Sequence, residues 1–188
     1  MNKPRACLTL ALLGAVFTAC NFSTTGAKTT YPVGCSTSDL INAINHANAD
    51  SGPAEIVLAA DCEYKFFGAA DTQSIDGVSI RSALPAITSE IEFVGNNAVL
   101  SSSISMGSNA AFGFFLVQLD GSLSAEHLTM KNGTRPRGGA VFIDRARAFF
   151  FGVEFYANTA LGITPAAFAK GGAIYNRGGA LSVTGDSL

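Results

Sequence analysis

The chain has 188 residues, a formal charge of −2 and a pI near 5.6, which suits one domain behind a leader and leaves no basic footprint for nucleic acid. Apolar residues make up 48% and charged ones only 14%. A sizeable core is therefore available, and the abundance of patterned Val, Ile, Leu and Phe excludes a disordered chain.

The N-terminus runs from a basic Met1-Asn2-Lys3-Pro4-Arg5 through an apolar stretch, Ala6 to Phe17, to Thr18-Ala19-Cys20. This order predicts a secretory signal over 1–19, too short to span a bilayer stably. Its end resembles the lipobox of bacterial lipoproteins. That resemblance implies that Cys20 becomes the new N-terminus and carries diacylglycerol and an amide-linked acyl chain, enough to hold a protein at a membrane. Phe17 departs from the Leu usual in that family, and ordinary signal cleavage would leave Cys20 as a free thiol. Asn21 in place of Asp carries no signal for inner-membrane retention, so the expected location is the bacterial outer membrane or cell surface, with the periplasm or secretion as the alternative. Residues 20–33 then read as a lipidated Cys and a polar, Ser/Thr-rich flexible tether.

Cys7 belongs to the leader, which leaves Cys35 and Cys62 as the cysteines of the mature fold. In an exported chain these two are expected to pair, closing a loop whose chain-entropy value is roughly 3–4 kcal/mol. Between them Leu40, Ile41, Ile44 and Ala47 recur at helical spacing, with Ser36 or Ser38 as N-cap and Asp39 in the first turn. Residues 34–62 are thus predicted to form an N-terminal cap: one short amphipathic helix tied by the disulfide to a first strand, Glu55 to Leu58.

Residues 63–188 read as wall. Cys62 to Phe66 alternates like a half-buried strand. Phe67 to Arg81 loses that period and is expected to leave the wall as an excursion. Leu84 to Ile87 and Ile91 to Leu100 give further strands, the second broken at Gly95-Asn96-Asn97, where the chain either forms a hairpin or turns a corner. Further on, Gly138-Gly139-Ala140 returns as Gly171-Gly172-Ala173, a shift of 171 − 138 = 33. A shift of 138 − 113 = 25 puts Gly113 on Gly138 and Leu116 on Val141. It also builds the apolar columns Leu123/Ala148/Leu181, Ala125/Phe150/Val183 and Met130/Phe155/Leu188. Such a period marks stacked repeats, each burying its apolar side on its neighbours. Leu188 closes the last column, so the chain is expected to be incomplete at its C-terminus, to pair with another chain at an open end, or to leave an open end that is tolerated.

The phrases LPAITSEIEFVGNNAVL, LTMKNGT and GGAIYNRGGALSVT resemble the right-handed parallel β-helix proteins of bacterial surfaces, in the pectate-lyase-like superfold that includes polymorphic outer-membrane-protein and adhesin-like passengers. The resemblance covers Cys35 to Leu188. It implies an all-β, right-handed parallel β-helix, a solenoid with a short capping α-helix.

Enzymes of that superfold cleave acidic polysaccharides with a carboxylate-bound Ca²⁺ or with paired aspartates. Both arrangements need carboxylates stacked in one column. Asp120 aligns instead with Arg145 and Gly178, Asp144 with Leu119 and Arg177, Glu126 with Phe151 and Thr184, and Glu154 with Thr129 and Ser187. No catalytic residue, metal site or cofactor is expected, and neither His46 nor His127 has a partner at ligand spacing. The columns gather Arg135, Arg137, Arg145, Arg147 and Arg177 on neighbouring bends, candidates for contact with anionic sugars or acidic lipid groups, or plain solubilising charges. Phe149 and Phe151 face outward if Phe150 faces in, where packing under the 156–170 loop is the preferred reading and sugar stacking or lateral association the alternatives. The function expected is structural or adhesive, contacting polysaccharide or host and cell-surface glycans from a lipid anchor. A polysaccharide lyase or glycoside hydrolase whose catalytic layers are missing or unrecognised is the alternative.

Overall fold

A computed structural model describes residues 27–50, 52–103, 111–162 and 169–185. The leader at 1–19, Cys20 and the column position Leu188 lie outside the described residues. Thr29–Pro32 forms strand β1, parallel to β2, Ala54–Val57, so from Thr29 onward the stretch read as tether belongs to a sheet. Between the two strands, helix α1 spans Thr37–Ala49. Ser36 is its N-cap: the backbone is extended and the hydroxyl accepts the Asp39 N–H at 3.4 Å, which satisfies one orphan donor of the first turn. The helix buries Leu40, Ala43, Ile44 and Ala47 against the wall, and Cys35 is bonded to Cys62, Cα to Cα 5.7 Å.

Strand β3, Glu63–Phe66, alternates exposed and buried residues. Strands β4, Asp71–Ile75, and β5, Val78–Ser82, then pair antiparallel. Asp76 and Gly77 link them at φ 51° and 70°, the two left-handed positions of the turn that matches hairpin twist. The predicted excursion is therefore a hairpin. Its inner face (Ile75, Val78, Ile80) packs with Leu116 and Phe142 in a small second core.

The remaining strands are β6, Glu90–Ser102; β7, Phe115–Val117; β8, Ser122–Lys131; β9, Thr134–Arg135; β10, Val141–Asp144; β11, Arg147–Phe151; β12, Glu154–Tyr156; β13, Thr159–Ala160; β14, Ile174–Arg177; and β15, Ala180–Thr184. Within β6, Asn96 and Asn97 take left-handed φ of 50° and 61° and the register to β8 shifts between Val94 and Ala98. Both halves of β6 stay parallel to their neighbours, so this bend turns a corner and makes no hairpin.

The expectation of a single right-handed parallel β-helix is corrected by the sheet order. Among the described residues the strands divide among four separate sheets: β1-β2-β6-β8-β11-β15 with β3 and β12 attached, β14-β10-β7, β13-β9, and the antiparallel β4-β5. Left-handed residues at the bends interrupt the ladders between sheets, and the Asp76-Gly77 turn sends the chain back on itself. A solenoid built of one continuous wall is not what these residues form.

Local register nevertheless follows the repeat. Ala148 pairs with Leu123 and Leu181, Phe150 with Ala125 and Val183, and Phe155 with Met130. One alignment is corrected: Val141 pairs with Phe115, not Leu116, because the bend after β7 is one residue longer than the bend after β10. Phe93, Ala125 and Phe150 lie in register with all three buried, large beside small beside large, which is how neighbouring rows fill one another. On β15 the same columns come to the surface, Leu181 39% and Val183 52% exposed. Gly138 and Gly171, the recurring glycines, both sit at φ 64°, and a Cβ at either would meet a carbonyl oxygen at 2.0 or 2.1 Å. That is why the glycine recurs with the period.

The largest fully buried polar side chain is Arg135, 1% exposed. Its guanidinium donates to the carbonyls of Gly138 at 2.6 Å, Phe115 at 2.7 Å and Arg137 at 3.0 Å, and to the Ser82 hydroxyl at 2.9 Å. Burial pushes Arg135 down to about 9, which still leaves it protonated at neutral pH, where carbonyl dipoles stabilise the charge. A Cβ on Gly113 would stand 2.6 Å from its Nε, so glycine there makes the room.

Replacing Cys35 with Ser should lower stability by roughly 3 kcal/mol in oxidising buffer, a difference that vanishes when wild type and variant are melted with reductant. Arg135→Met should cost at least about 3 kcal/mol by chemical denaturation, since three or more buried acceptors lose their donor at about 1 kcal/mol or more each. Arg135→Lys should recover little of it, because an ammonium cannot span the same fork.

Candidate functional site

Strand alternation sorts the long sheet into an inner and an outer face. Ile91, Phe93, Leu123, Ala125, Ala148 and Phe150 point in. Outward, one row in register runs Thr30, Glu55, Glu92, Ser124, Phe149 and Ser182, and the row beside it runs Glu90, Ser122, Arg147 and Ala180. Phe149 and Phe151 are 44% and 43% exposed around a Phe150 that is 1% exposed. They stand free of cover by the described residues. Phe151 meets a neighbouring ring, His127, edge-on at 5.4 Å.

A groove of about 490 Å³ opens at this face, lined by Glu90, Asp120, Ser122, Arg145, Arg147 and Phe149. A smaller hollow of about 170 Å³ shares Glu90, Ser122 and Phe149 with it and continues to Lys28 and Glu92. Asp120 and Arg145 reach the groove from left-handed bend positions, φ 71° and 53°, and Gly178, aligned with both by the repeat, has φ 69°. A non-glycine residue held there costs about 1–2 kcal/mol of local conformational energy, so the bend turns both side chains toward the groove at some expense.

The charges divide into committed and free. Lys28 bridges Glu55 at 2.6 Å and Glu92 at 2.5 Å. Hydrogen bonding to Glu55 and then Glu92 raises the Lys28 ammonium above its ordinary value, and the bond from Lys28 holds the Glu55 carboxyl below its own. Arg145 pairs with Asp144 at 3.3 Å. Among the described residues Glu90, Asp120 and Arg147 have neither an ion pair nor a side-chain hydrogen bond.

The five arginines expected to gather as one cationic strip do not. Arg135 is in the interior. Arg137 and Arg177 converge on Asp76 at the hairpin tip, at 3.3 and 2.9 Å, and Arg177 also pairs with Asp144 at 3.3 Å. Arg145 and Arg147 alone of the five line the groove. The hairpin explains the difference: Asp76 comes from 61 residues before Arg137 and 101 before Arg177, and no repeat register could have matched it to them.

Sequence reasoning missed Glu90, Glu55 and Glu92, which lie before the three aligned copies. The likeness of Ala54-Glu55-Ile56-Val57 to Ile91-Glu92-Phe93-Val94, which pair in that order, was the signal that could have extended the rows backward. His46 stacks on Tyr31 at 6.5 Å on the last turn of α1. Among the described residues no group of three or more His, Cys, Asp or Glu is placed to hold a metal, and no helix is long and apolar enough to cross a membrane. Comparison of the chain with protein families, curated proteins and solved structures found no match.

Proposed function

We propose that this protein is an exported, lipid-anchored contact protein of the bacterial surface, working by adhesion to glycans without catalysis. One observation carries the reading: an exposed aromatic ring, Phe149, at the mouth of a groove whose other walls are carboxylate, hydroxyl and guanidinium. Sugar rings bury their C–H faces on aromatic side chains while their hydroxyls need donors and acceptors at the rim. The Cys35–Cys62 disulfide suits an oxidising compartment, in line with the signal read at 1–19. The resemblance of the wall phrases to adhesin-like surface proteins points the same way.

A second reading, glycoside hydrolase or polysaccharide lyase, has in its favour that Glu90 and Asp120 share one groove, since glycoside hydrolysis uses two carboxylates across the scissile bond. Against it stands the register of Glu90, whose row continues through Ser122, Arg147 and Ala180 with no second carboxylate stacked on it.

On a glycan array the full chain should bind a defined set of glycans, and Phe149→Ala with Phe151→Ala should lose about tenfold or more in affinity, about 1.4 kcal/mol. No new reducing or unsaturated ends should form. Ends released at enzymatic rates, and abolished in Glu90→Gln or Asp120→Asn, would establish the second reading; an array with no binding would leave a purely structural role. Mass spectrometry of the membrane-extracted N-terminal peptide should find Cys20 acylated, and an unmodified Cys20 would remove the anchor from the proposal.

A further inference from the structure

Resting on the glycan reading above, we infer that the groove selects uncharged sugar rings and discriminates against acidic ones. The free charges decide this. Arg145 touches Asp144 through Nε alone and shares that carboxylate with Arg177, while Lys28 is taken up by Glu92 and Glu55. The lining sets Glu90 and Asp120 against Arg147 and a partly engaged Arg145, and the excess of negative charge comes from beside it: Glu126, without an ion pair among the described residues, lies in register with Phe151 on the adjoining row, and Lys28 faces two carboxylates, Glu55 and Glu92. A uronate carboxylate entering here meets more negative charge than positive, with little burial to remove the repulsion.

A neutral pyranose satisfies the same groups. Each free carboxylate is an acceptor only and takes the hydrogens of neighbouring hydroxyls; the Arg147 fork is a donor only and takes their oxygens; the Ser122 hydroxyl does both. Phe149 offers a face for the C–H side of the ring. A hydroxyl-rich ring presents donors, acceptors and an apolar face together, whereas an anion lacks donors for the carboxylates and a hydrocarbon lacks partners for any of the charges. The volume, about 490 Å³, falls within the roughly 300–1,000 Å³ of small-ligand clefts. The row Glu90, Ser122, Arg147 crosses three strands, about 10 Å at the spacing of a sheet. The smaller hollow leading to Lys28 and Glu92 gives the direction in which a longer chain would continue.

Isothermal titration of the full, disulfide-intact chain with cellohexaose, maltohexaose and mannohexaose, and in parallel with hexagalacturonate, tests the inference. At least one neutral hexamer should bind about tenfold or more tightly than hexagalacturonate, with little dependence on salt. Phe149→Ala should weaken it about tenfold. Glu90→Gln should weaken the neutral hexamer and strengthen hexagalacturonate, an inversion that mere loss of structure would not produce. Hexagalacturonate binding as tightly as the neutral hexamers, or neutral binding untouched by Phe149→Ala, would overturn the selectivity while leaving glycan binding in place. Failure of all four hexamers together with a blank glycan array would overturn the glycan reading itself.

Discussion

The packing of the wall turns on one buried cation. Arg135 takes its guanidinium into a place where desolvation opposes the charge, and among the described residues no carboxylate pairs with it. Its hydrogen bonds to the hairpin base (Ser82), to β7 (Phe115) and to the bend before β10 (Arg137 and Gly138) join three pieces of backbone far apart in sequence. Each carbonyl needs a donor because it is buried, and the planar fork of one arginine supplies several at once. The constraint reaches outward from there: Gly113 has to lack a side chain, and the β4-β5 hairpin is fastened at its base by Arg135 and at its tip by Asp76.

The outer face follows from a different constraint, the two-residue period of a strand. Because Phe93, Ala125 and Phe150 must fill the interior, their neighbours Glu92, Ser124 and Phe149 have no choice but to stand outside. Parallel register then sets these outward residues in rows about 4.8 Å apart, a spacing short enough for several side chains to meet one ligand. Acidic residues with their lysine gather toward β2, hydroxyls over β8 and aromatic rings over β11. The groove is the place where these chemistries adjoin, and the bends carrying Asp120 and Arg145 close one side of it.

Legibility varied with the range of the interaction. The capped helix, the disulfide and the alternation of Phe149, Phe150 and Phe151 could be read in the sequence because each rests on local spacing or on cysteine count. The register of β8, β11 and β15 could be read because apolar columns repeat with the glycines that turn the chain. The Asp76-Gly77 hairpin was marked by its turn residues yet obscured by a polar stretch around it. The resemblance to a β-helix overstated continuity: it carried a single wall through bends that in fact divide the strands among four sheets.

By itself, then, the sequence determined the local periods, which residues face in, which cysteines join, and which bends recur with a glycine. Only the tertiary structure decided what became of the charges. Arg135, Arg137, Arg145, Arg147 and Arg177 are alike in sequence, all near bends, and they end up buried on carbonyls, bound to a hairpin aspartate, or exposed beside a groove. The energy of a charge depends on burial and on partners that arrive from 61 or 101 residues away, and neither is written in the spacing of the chain around it.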